Sequence, residues 1–234
     1  MTDKNIEQSF KELEKHLPTP GEANISTIRN YHFAVLVYPP SKEFQMRDQL
    51  QRSFRLLEKQ GWHVYTISLL DVVLRRLRQK GAGNIEKLIE KEKRYWNKEQ
   101  QQENIERLIE KENSYWNKEQ QQEKKLPSRG LNVITNAIQN ELDGNNGIAK
   151  DIADLIAQFI AENPNRENNT IVFLKQVGSL FPFFRSSALL RHLQTSMNTK
   201  TPTILLYPGR KHGDAGLSFM EKLQPDRDYR HRIY

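Results

Sequence analysis

The sequence predicts an α/β fold: a mainly parallel sheet of about four strands, flanked by helices and carrying a helical insertion at 84–123. Four short apolar runs have the length of buried strands, and stretches with apolar residues at helical spacing separate them. Parallel strands need a long crossover connection, and this alternation provides it. The 234 residues are predicted to form a single domain, 1–234, which the insertion interrupts.

The first half of the chain is predicted to hold three helices and two strands. The strands are FAVLVY at 33–38 and WHVYTIS at 62–68. The first helix has an apolar stripe formed by Ile6, Phe10, Leu13 and Leu17. The second helix is expected to end at Gly61, and its stripe is Met46, Leu50, Phe54 and Leu57. The third is expected to bury Leu70, Val73, Leu74 and Leu77, and to expose Arg75, Arg76 and Arg78.

The second half is predicted to contain three helices and the other two strands. The helices are LNVITNAIQNEL at 131–142, GIAKDIADLIAQFIAENP at 147–164 and RSSALLRHLQ at 185–194. TIVFLKQVG at 170–178 is the third strand, and TILLY at 203–207 is the fourth. The glycine and proline of YPGRKHGDAG at 207–216 predict a flexible loop after the fourth strand.

Between the two halves, two nearly identical stretches stand side by side. NIEKLIEKEKRYWNKEQQQE occupies 84–103 and NIERLIEKENSYWNKEQQQE occupies 104–123. A shift of 20 residues along a helix rotates its apolar stripe by ~200°. Either the chain therefore turns near Asn97–Asn104, although no glycine or proline marks a turn, or each copy packs against something different.

Near-identity of adjacent copies indicates a tandem duplication, which a chain tolerates best where few contacts cross. Two copies are also fewer than a solenoid needs to bury a core. A partner-docking arm is the alternative, with contacts through Tyr95, Trp96, Tyr115 and Trp116. We favour the tolerated protrusion.

Composition and charge narrow the functional classes. The chain has no cysteine, which excludes disulfides, cysteine-based zinc sites and thiol nucleophiles. Its apolar runs are too short to span a bilayer and its first residues contain no signal-peptide core, so a cytoplasmic protein without membrane contact is expected. The net charge of +7 comes from the regions flanking the doubled segment, and it suits an acidic partner or a nucleic acid.

The predicted strand ends lack nucleotide and catalytic motifs. Pro39–Pro40 stands where a glycine-rich phosphate loop would follow the first strand. Phe181 replaces the second glycine of a G-x-S-x-G elbow, so Ser179 is interpreted as a turn or capping serine. Asp71 is either an acidic ligand or a helix N-cap. Asp214 lies close to His212 in the sequence, so the two residues form either part of a functional site or a simple ion pair within the loop. No catalytic residue, metal or cofactor is predicted.

The candidate surface lies in the last third of the chain. LFPFFRSSALL places three phenylalanines before a predicted helix start, with Arg185 and Ser186 at that start. Phe181 and Phe184 are equally well explained as core residues. Arg185 is not, because an unpaired buried charge is costly, so it either pairs internally or contacts an anionic partner. The tail DRDYRHRIY is basic and aromatic, as interfaces and nucleic-acid contacts are.

These C-terminal segments resemble the BrxB family of bacterial BREX phage-defence systems. The resemblance rests on VGSLFPFFRSSALLRHLQ, PTILLYPGRKHGDAGLSFMEKL and DYRHRIY, and it extends to FAVLVYPPSKEFQMRDQL and LEKQGWHVYTISLLDVVL in the first half. It covers nearly the whole chain outside 84–123. The matching positions are Gly178, Phe181, Pro182, Arg185, Ser186, Tyr207, Pro208, Gly209, Phe219, Tyr229 and Arg230.

The resemblance implies a small intracellular defence component that works beside a PglZ-type phosphatase-like protein, a large ATPase and a DNA methyltransferase. The family has no established catalytic residues to carry over. We therefore expect a non-catalytic adaptor that binds the PglZ-type partner. The expected partner-binding residues are Phe181, Arg185, Ser186, Tyr207, Pro208, Gly209, Arg210, Tyr229 and Arg230.

Two alternatives to the adaptor remain open. One is a DNA-binding module of the same complex, which the arginines at 75–78 and the basic tail suggest. The other is a degenerate nucleotide-binding domain that keeps an anion site at the YPG segment without hydrolysis.

Overall fold

A computed structural model describes residues 6–20, 23–25, 32–79, 82–114, 132–144, 146–197, 200–213, 216–222, 225 and 232–234. The chain divides into two compact units. The first comprises Met1–Arg76 and Glu141–Tyr234, and the second is Leu77–Asn140. The second unit thus extends beyond the doubled segment at both ends.

The first unit contains a six-stranded, mainly parallel sheet, which confirms the predicted fold class. Its strands are β1 (Phe33–Tyr38), β2 (His63–Ser68), β3 (Thr170–Lys175), β4 (Thr203–His212), β5 (Gly216–Phe219) and β6 (Arg232–Ile233). The order is β2-β3-β4-β1-β6, and β5 pairs antiparallel with β4. The four predicted strands are β1 to β4, and the short β5 and β6 were not predicted.

The helices of the first unit are α1 (Ile6–Lys15), α2 (Glu43–Lys59), α3 (Leu69–Gln79), α6 (Ile148–Glu162) and α7 (Ser186–Ser196). The last three residues of α3 fall within the second unit. That unit also contains α4 (Ala82–Ser114) and all but the last two residues of α5 (Asn132–Leu142). Helix α2 ends as predicted before Gly61, whose φ of 92° is a conformation that glycine adopts without steric cost.

One face of the sheet packs against α1 and α2. Successive side chains of a strand point to opposite faces, so alternate residues of the central strands share this core. They are Ala34, Leu36, Ile171, Phe173, Ile204 and Leu206, and they pack with Phe10, Leu13, Leu50 and Leu57 of the two helices. Strands β1, β3 and the first seven residues of β4 are buried, as their continuous apolar runs predict, whereas β2 lies at the edge of the sheet and is half-buried.

The opposite face carries α6, and α7 packs beside it. Phe159 of α6 stacks on Tyr65 of β2, with ring centroids 4.1 Å apart, and on His63 at 5.1 Å. The helices bury Ile152 and Ile156 on α6 and the leucines of α7. Both faces of the sheet are therefore covered, as a parallel sheet requires.

The prediction for α3 was right about the buried Val73 and the exposed Arg75 and Arg78, but wrong about its other buried face residues. Leu70 and Leu74 are exposed, whereas Val72 is buried. Arg76 is only 16% exposed, because its guanidinium pairs with Asp151 and donates to two backbone carbonyls. Periodicity did not show that a paired arginine occupies part of the buried face.

The N-terminus of α3 also differs from expectation. Ser68, not Asp71, is the capping residue, since the Asp71 N–H donates to Ser68 Oγ at 3.1 Å. The Ser68 hydroxyl donates in turn to Gln176 Oε1 at 2.5 Å, which links the ends of β2 and β3. Asp71 lies in the first helical turn with an exposed side chain.

In the second unit, α4 runs without a break through Asn97–Asn104, so the chain makes no turn between the two copies there. Glu92 is 4% exposed and both its carboxylate oxygens accept hydrogen bonds, from Trp96 Nε1–H at 3.0 Å and from the Ile134 N–H at 2.8 Å. Ile134 lies in the first turn of α5. The first copy of the repeat thus caps α5 through a buried carboxylate.

The second copy is only partly described, because residues 115–131 lie outside the described residues. Tyr95 and Trp96 are 37% and 39% exposed. Their counterparts Tyr115 and Trp116 fall in the undescribed range. The choice between a tolerated protrusion and a docking arm remains a prediction.

Candidate functional site: the carboxyl edge of the sheet

Two segments that are distant in sequence meet at the carboxyl edge of the parallel sheet. One connects β3 to α7 and contains Phe181 and Arg185. The other is the hairpin of β4 and β5. The Phe219 ring joins them, with its centroid 5.6 Å from that of Phe181 and 5.7 Å, edge-on, from that of Tyr207. We call the surface formed by 177–187, 207–213 and 216–222 the edge surface.

The β3–α7 segment folds around Leu180, which is 1% exposed. Its carbonyl accepts hydrogen bonds from the N–H groups of Phe183 and Phe184, each at 2.8 Å. Ser179 Oγ donates to the Gln176 carbonyl at 2.8 Å, so this serine stabilises a turn, as the motif analysis favoured. The buried leucine holds the segment in place while its neighbours face outward.

Phe181 is not a core residue. Its side chain is 49% exposed and follows the buried Leu180. Phe184 is half-buried and stacks on His192 of α7 at 6.2 Å, and His192 lies 3.3 Å from an Asp143 carboxylate oxygen. Of the two phenylalanines, Phe181 is the one that presents an aromatic surface to solvent.

Arg185 immediately precedes α7 and is exposed. Its carbonyl accepts the Leu189 N–H at 3.0 Å, but within the described part of the chain no hydrogen bond or ion pair engages its guanidinium. The sequence left two options for Arg185, an internal ion pair or contact with an anionic partner. The internal ion pair is not seen among the described residues. Ser186 is 9% exposed and takes part in internal polar interactions, which favours a structural role at the helix start.

The segment predicted to be a flexible loop after TILLY is largely a hairpin. Strand β4 continues to His212, and Gly209 to His212 pair with residues 216–219 of β5. A Cβ on Gly209 would lie 2.2 Å from the Ser218 carbonyl oxygen and 2.7 Å from the Tyr207 ring. The glycine and proline were misinterpreted as loop residues, because close approach of two strands also selects glycine.

The hairpin separates the predicted site residues into buried and exposed groups. Tyr207 is 2% exposed, and Pro208 and Gly209 are also buried, so these three support the surface from beneath. Arg210 is exposed, and its Nε lies 3.8 Å from a Glu221 carboxylate oxygen. Tyr229 and Arg230 lie outside the described residues, and so does Asp214 beside His212.

The tail residues that the structure describes have an internal role, contrary to the interface prediction for that part of the tail. Arg232 and Ile233 form β6 on the edge of β1. Tyr234 extends the pairing, with its N–H donating to Val35 at 2.9 Å, and its side chain is 5% exposed in the core. Burial raises the pKa of the Tyr234 hydroxyl.

The edge surface is basic. With the neighbouring Lys175, its segments carry the cations Lys175, Arg185, Arg210, Lys211 and Lys222, against the single acid Glu221. Met220 is 44% exposed beside this charge. The sequence analysis missed Met220 and the linking role of Phe219; the alternation in GLSFM was the available signal for a strand that places them there. Exposed apolar groups bordered by an excess of cations suit an acidic protein surface.

The described residues form no cluster of metal ligands at this edge, and the turn after β1 has no phosphate-binding backbone. No three histidine, aspartate or glutamate side chains come together there as metal ligands. In the turn after β1, the Lys42 N–H donates to the Pro39 carbonyl at 2.9 Å and is not directed at a ligand. The Tyr38 hydroxyl donates to Glu43 at 2.6 Å, and burial together with this carboxylate raises the pKa of the tyrosine.

The fold and the edge surface define a mainly parallel α/β protein with an exposed aromatic and basic surface. Comparison with known sequences supplies the family. The family profile described as "BREX protein BrxB" matches residues 108–233, more than half of the chain. The chain belongs to the BrxB family.

A curated relative supports this assignment over a longer range. It is a protein of Bacillus cereus (strain H3081.97) described as "BREX protein BrxB". The two sequences are 25% identical over 201 residues, which cover 85% of this chain and 80% of the relative. No solved structure matches the chain. In the described part of the chain, no helix is both long and apolar enough to cross a membrane.

Proposed function

We propose that this protein is a non-catalytic, cytoplasmic adaptor subunit of a BREX-type phage-defence complex, and that it binds a PglZ-type phosphatase-like partner through the edge surface. The exposure of Phe181 on the rigid Phe219–Tyr207 aromatic cluster carries this proposal. The Phe181 ring and the exposed Met220 on the same surface offer apolar area that a partner can bury. Family membership supports a role within a BREX system.

The surface has the anatomy of a protein-binding hot spot. Phe181 and Met220 are apolar anchors, and Arg185 and Arg210 stand beside them in solvent. Aromatic and arginine side chains dominate binding energy at interfaces. The buried Tyr207 and Gly209 hold the anchors in position and need not touch the partner. Other BREX subunits, including the large ATPase and the methyltransferase, would be reached through the PglZ-type protein.

Co-purification tests the adaptor proposal. Tagged wild-type protein is expressed with its genomic neighbours, and the PglZ-type protein is quantified after nuclease treatment. Phe181→Ala and Arg185→Ala are each expected to lower its recovery at least tenfold, the loss for a central contact of about 1.4 kcal/mol or more. Arg191→Ala is the matched control, since Arg191 is an exposed arginine of the same helix α7. Equal recovery with all variants would refute the proposed surface.

DNA binding is the second candidate, because Arg75 and Arg78 are exposed on α3. It is weaker than the sequence suggested, since Arg76 pairs with Asp151 and does not face solvent. Phosphate contacts release counterions, so affinity for duplex DNA would fall steeply between 50 and 200 mM salt. Arg75→Ala with Arg78→Ala should reduce that slope, and flat or absent binding at low salt eliminates this candidate.

The third candidate, an anion site at the YPG segment, has less support because Tyr207, Pro208 and Gly209 are buried. Calorimetry with ATP and GTP tests it. Hydrolysis of a nucleotide or an ester by the pure protein, lost in Arg185→Ala, would overturn the non-catalytic proposal.

A further inference from the structure

The two sides at which the sheet ends differ in how far other segments of the chain pair with them. The β1 edge is covered by the two-residue β6 and by Tyr234. At the other edge, β2 pairs with β3 along all six residues, and within the described residues no strand pairs with its outer side. Its outward backbone N–H and C=O groups are therefore open to another strand.

Strand β2 also lacks the features that protect natural edge strands. Its sequence, HVYTIS, contains no proline, glycine, lysine or acidic residue, and its unbroken register with β3 leaves no bulge. The strand is rigid as well, because Phe159 stacks on both His63 and Tyr65 from one face. Helix α3 follows β2 directly, and its residues Leu70 and Leu74 are exposed. A regular, half-buried edge strand of this kind is a template for strand addition.

The side chains of β2 suit a second copy of the same strand. A two-fold axis perpendicular to the sheet keeps every side chain on its own face of the sheet. Residues that lie opposite each other in an antiparallel pair also share a face, and side chains alternate between faces along a strand. The axis must therefore pass beside a residue that lies opposite its own copy, and not between two residues. Centred on Tyr65, the pairing sets Tyr65 opposite Tyr65 and His63 opposite Ile67 on one face. On the other face Val64 lies opposite Thr66. Aromatic and β-branched residues are the favoured cross-strand partners.

The charges near the ends of β2 are complementary under the same symmetry. At its start, Arg166 Nη1 lies 2.7 Å from His63 Nδ1. At its end, Asp71 is bound through its N–H to Ser68 and has an exposed side chain. Antiparallel pairing brings the start of each strand beside the end of the other, so the end of one copy that carries Arg166 faces the end of the second copy that leads to Asp71. In the middle, Tyr65 lies in the fields of Arg75 and Glu162, one charge of each sign.

We infer that β2 is a homodimerisation edge: two copies of this chain pair their β2 strands antiparallel about Tyr65 and form one continuous sheet. Strand β2 contributes no residue to the edge surface, so the inference does not depend on the adaptor proposal.

Cysteine cross-linking tests the pairing directly, because the chain contains no cysteine of its own. Tyr65→Cys is expected to form a disulfide-linked dimer under mild oxidation, since residues facing each other in an antiparallel pair meet disulfide geometry. Because loss of the stack on Phe159 could destabilise this variant, Val64→Cys and Thr66→Cys provide a second test. An equimolar mixture of these two single variants should form more disulfide-linked dimer than either variant alone, because Val64 of one copy lies opposite Thr66 of the other. Gln194→Cys, exposed on α7, gives the background.

Light scattering supplies the second measurement. The wild-type protein should shift from monomer to dimer with rising concentration, and Thr66→Lys should weaken dimerisation at least tenfold while Thr66→Val does not. A monomer at every concentration, with cross-linking no greater than that of Gln194→Cys, would overturn the inference. Cross-linking of Tyr65→Cys to a different protein but not to its own copy would overturn it as well, and would assign β2 to a partner strand.

Discussion

Arg76 and Asp151 form a bidentate ion pair, with Nη1 2.9 and 2.8 Å from the two carboxylate oxygens. The same guanidinium donates to the carbonyls of Glu141 and Asn146. Arg76 is the last residue before the second unit, and Glu141 is the first residue after it. One side chain thus ties together the two points where the chain leaves and re-enters the first unit.

Arg76→Ala should therefore destabilise the first unit. The substitution leaves Asp151, half-buried, without its partner and frees two carbonyls, so we expect a loss of about 2–3 kcal/mol in the free energy of unfolding. Urea denaturation followed by tryptophan fluorescence measures it, with Trp62 in the core as the reporter. Arg75→Ala, an exposed neighbour on the same helix, should change the free energy by less than about 0.5 kcal/mol. Equal effects would contradict a specific role for Arg76.

Glu92→Ala should loosen the start of α5. The buried carboxylate accepts the Ile134 N–H, and its removal leaves that donor and the Trp96 N–H unsatisfied, at a cost of about 1–3 kcal/mol. Hydrogen exchange should show faster exchange at Ile134, with the sheet of the first unit unchanged. Glu90→Ala is the control, because Glu90 is exposed and pairs only loosely with Arg94. Unchanged protection at Ile134 in Glu92→Ala would refute the capping role.

His63 should make stability depend on pH. Burial is the main cause that lowers the pKa of His63, and the neighbouring Arg166 lowers it further. Glu58 raises this pKa, but by less than the other two lower it. Below the ordinary histidine pKa of about 6.5, the unfolded chain binds a proton that the folded state resists, so stability should fall as the pH drops from 7 toward 5. His63→Phe keeps an aromatic ring over Phe159 and should reduce this slope. The pH dependence that remains in this variant should come from His32, because burial lowers the pKa of His32 as well. An identical slope in the variant would contradict the assignment to His63.

Gly209→Ala should damage the hairpin that supports the edge surface. The new Cβ would overlap the Ser218 carbonyl and the Tyr207 ring, and we expect a loss of about 1–3 kcal/mol in the free energy of unfolding. Recovery of the PglZ-type partner should fall with it. Gly178→Ala is the matched control on the same surface, since its Cβ would meet only the end of the Phe219 ring at 3.9 Å. Similar melting temperatures for the two variants would argue against the close approach at Gly209.

The site was only partly predictable from sequence. The composition of LFPFFRSS correctly marked Arg185 as a residue that burial does not explain, but it left Phe181 equally well explained as a core residue or as a surface residue. The same reasoning placed Tyr207 and Ser186 with them, although both are buried. Residue type does not reveal on which side of a strand a side chain falls, because for Tyr207 that depends on Phe219, which chain folding brings beside it.

The amino-acid sequence by itself determined the α/β class, the four strands β1 to β4 and the ends of most helices, because these follow from local periodicity and from breakers such as Gly61. Only the tertiary structure decided that the YPG segment is a strand, that Arg76 faces inward and that residues 232–234 cover the β1 edge. Each of these depends on a contact between residues far apart in the chain: Gly209 with Ser218, Arg76 with Asp151, and Tyr234 with Val35. Such contacts form only after the sheet has assembled, and no local pattern encodes them.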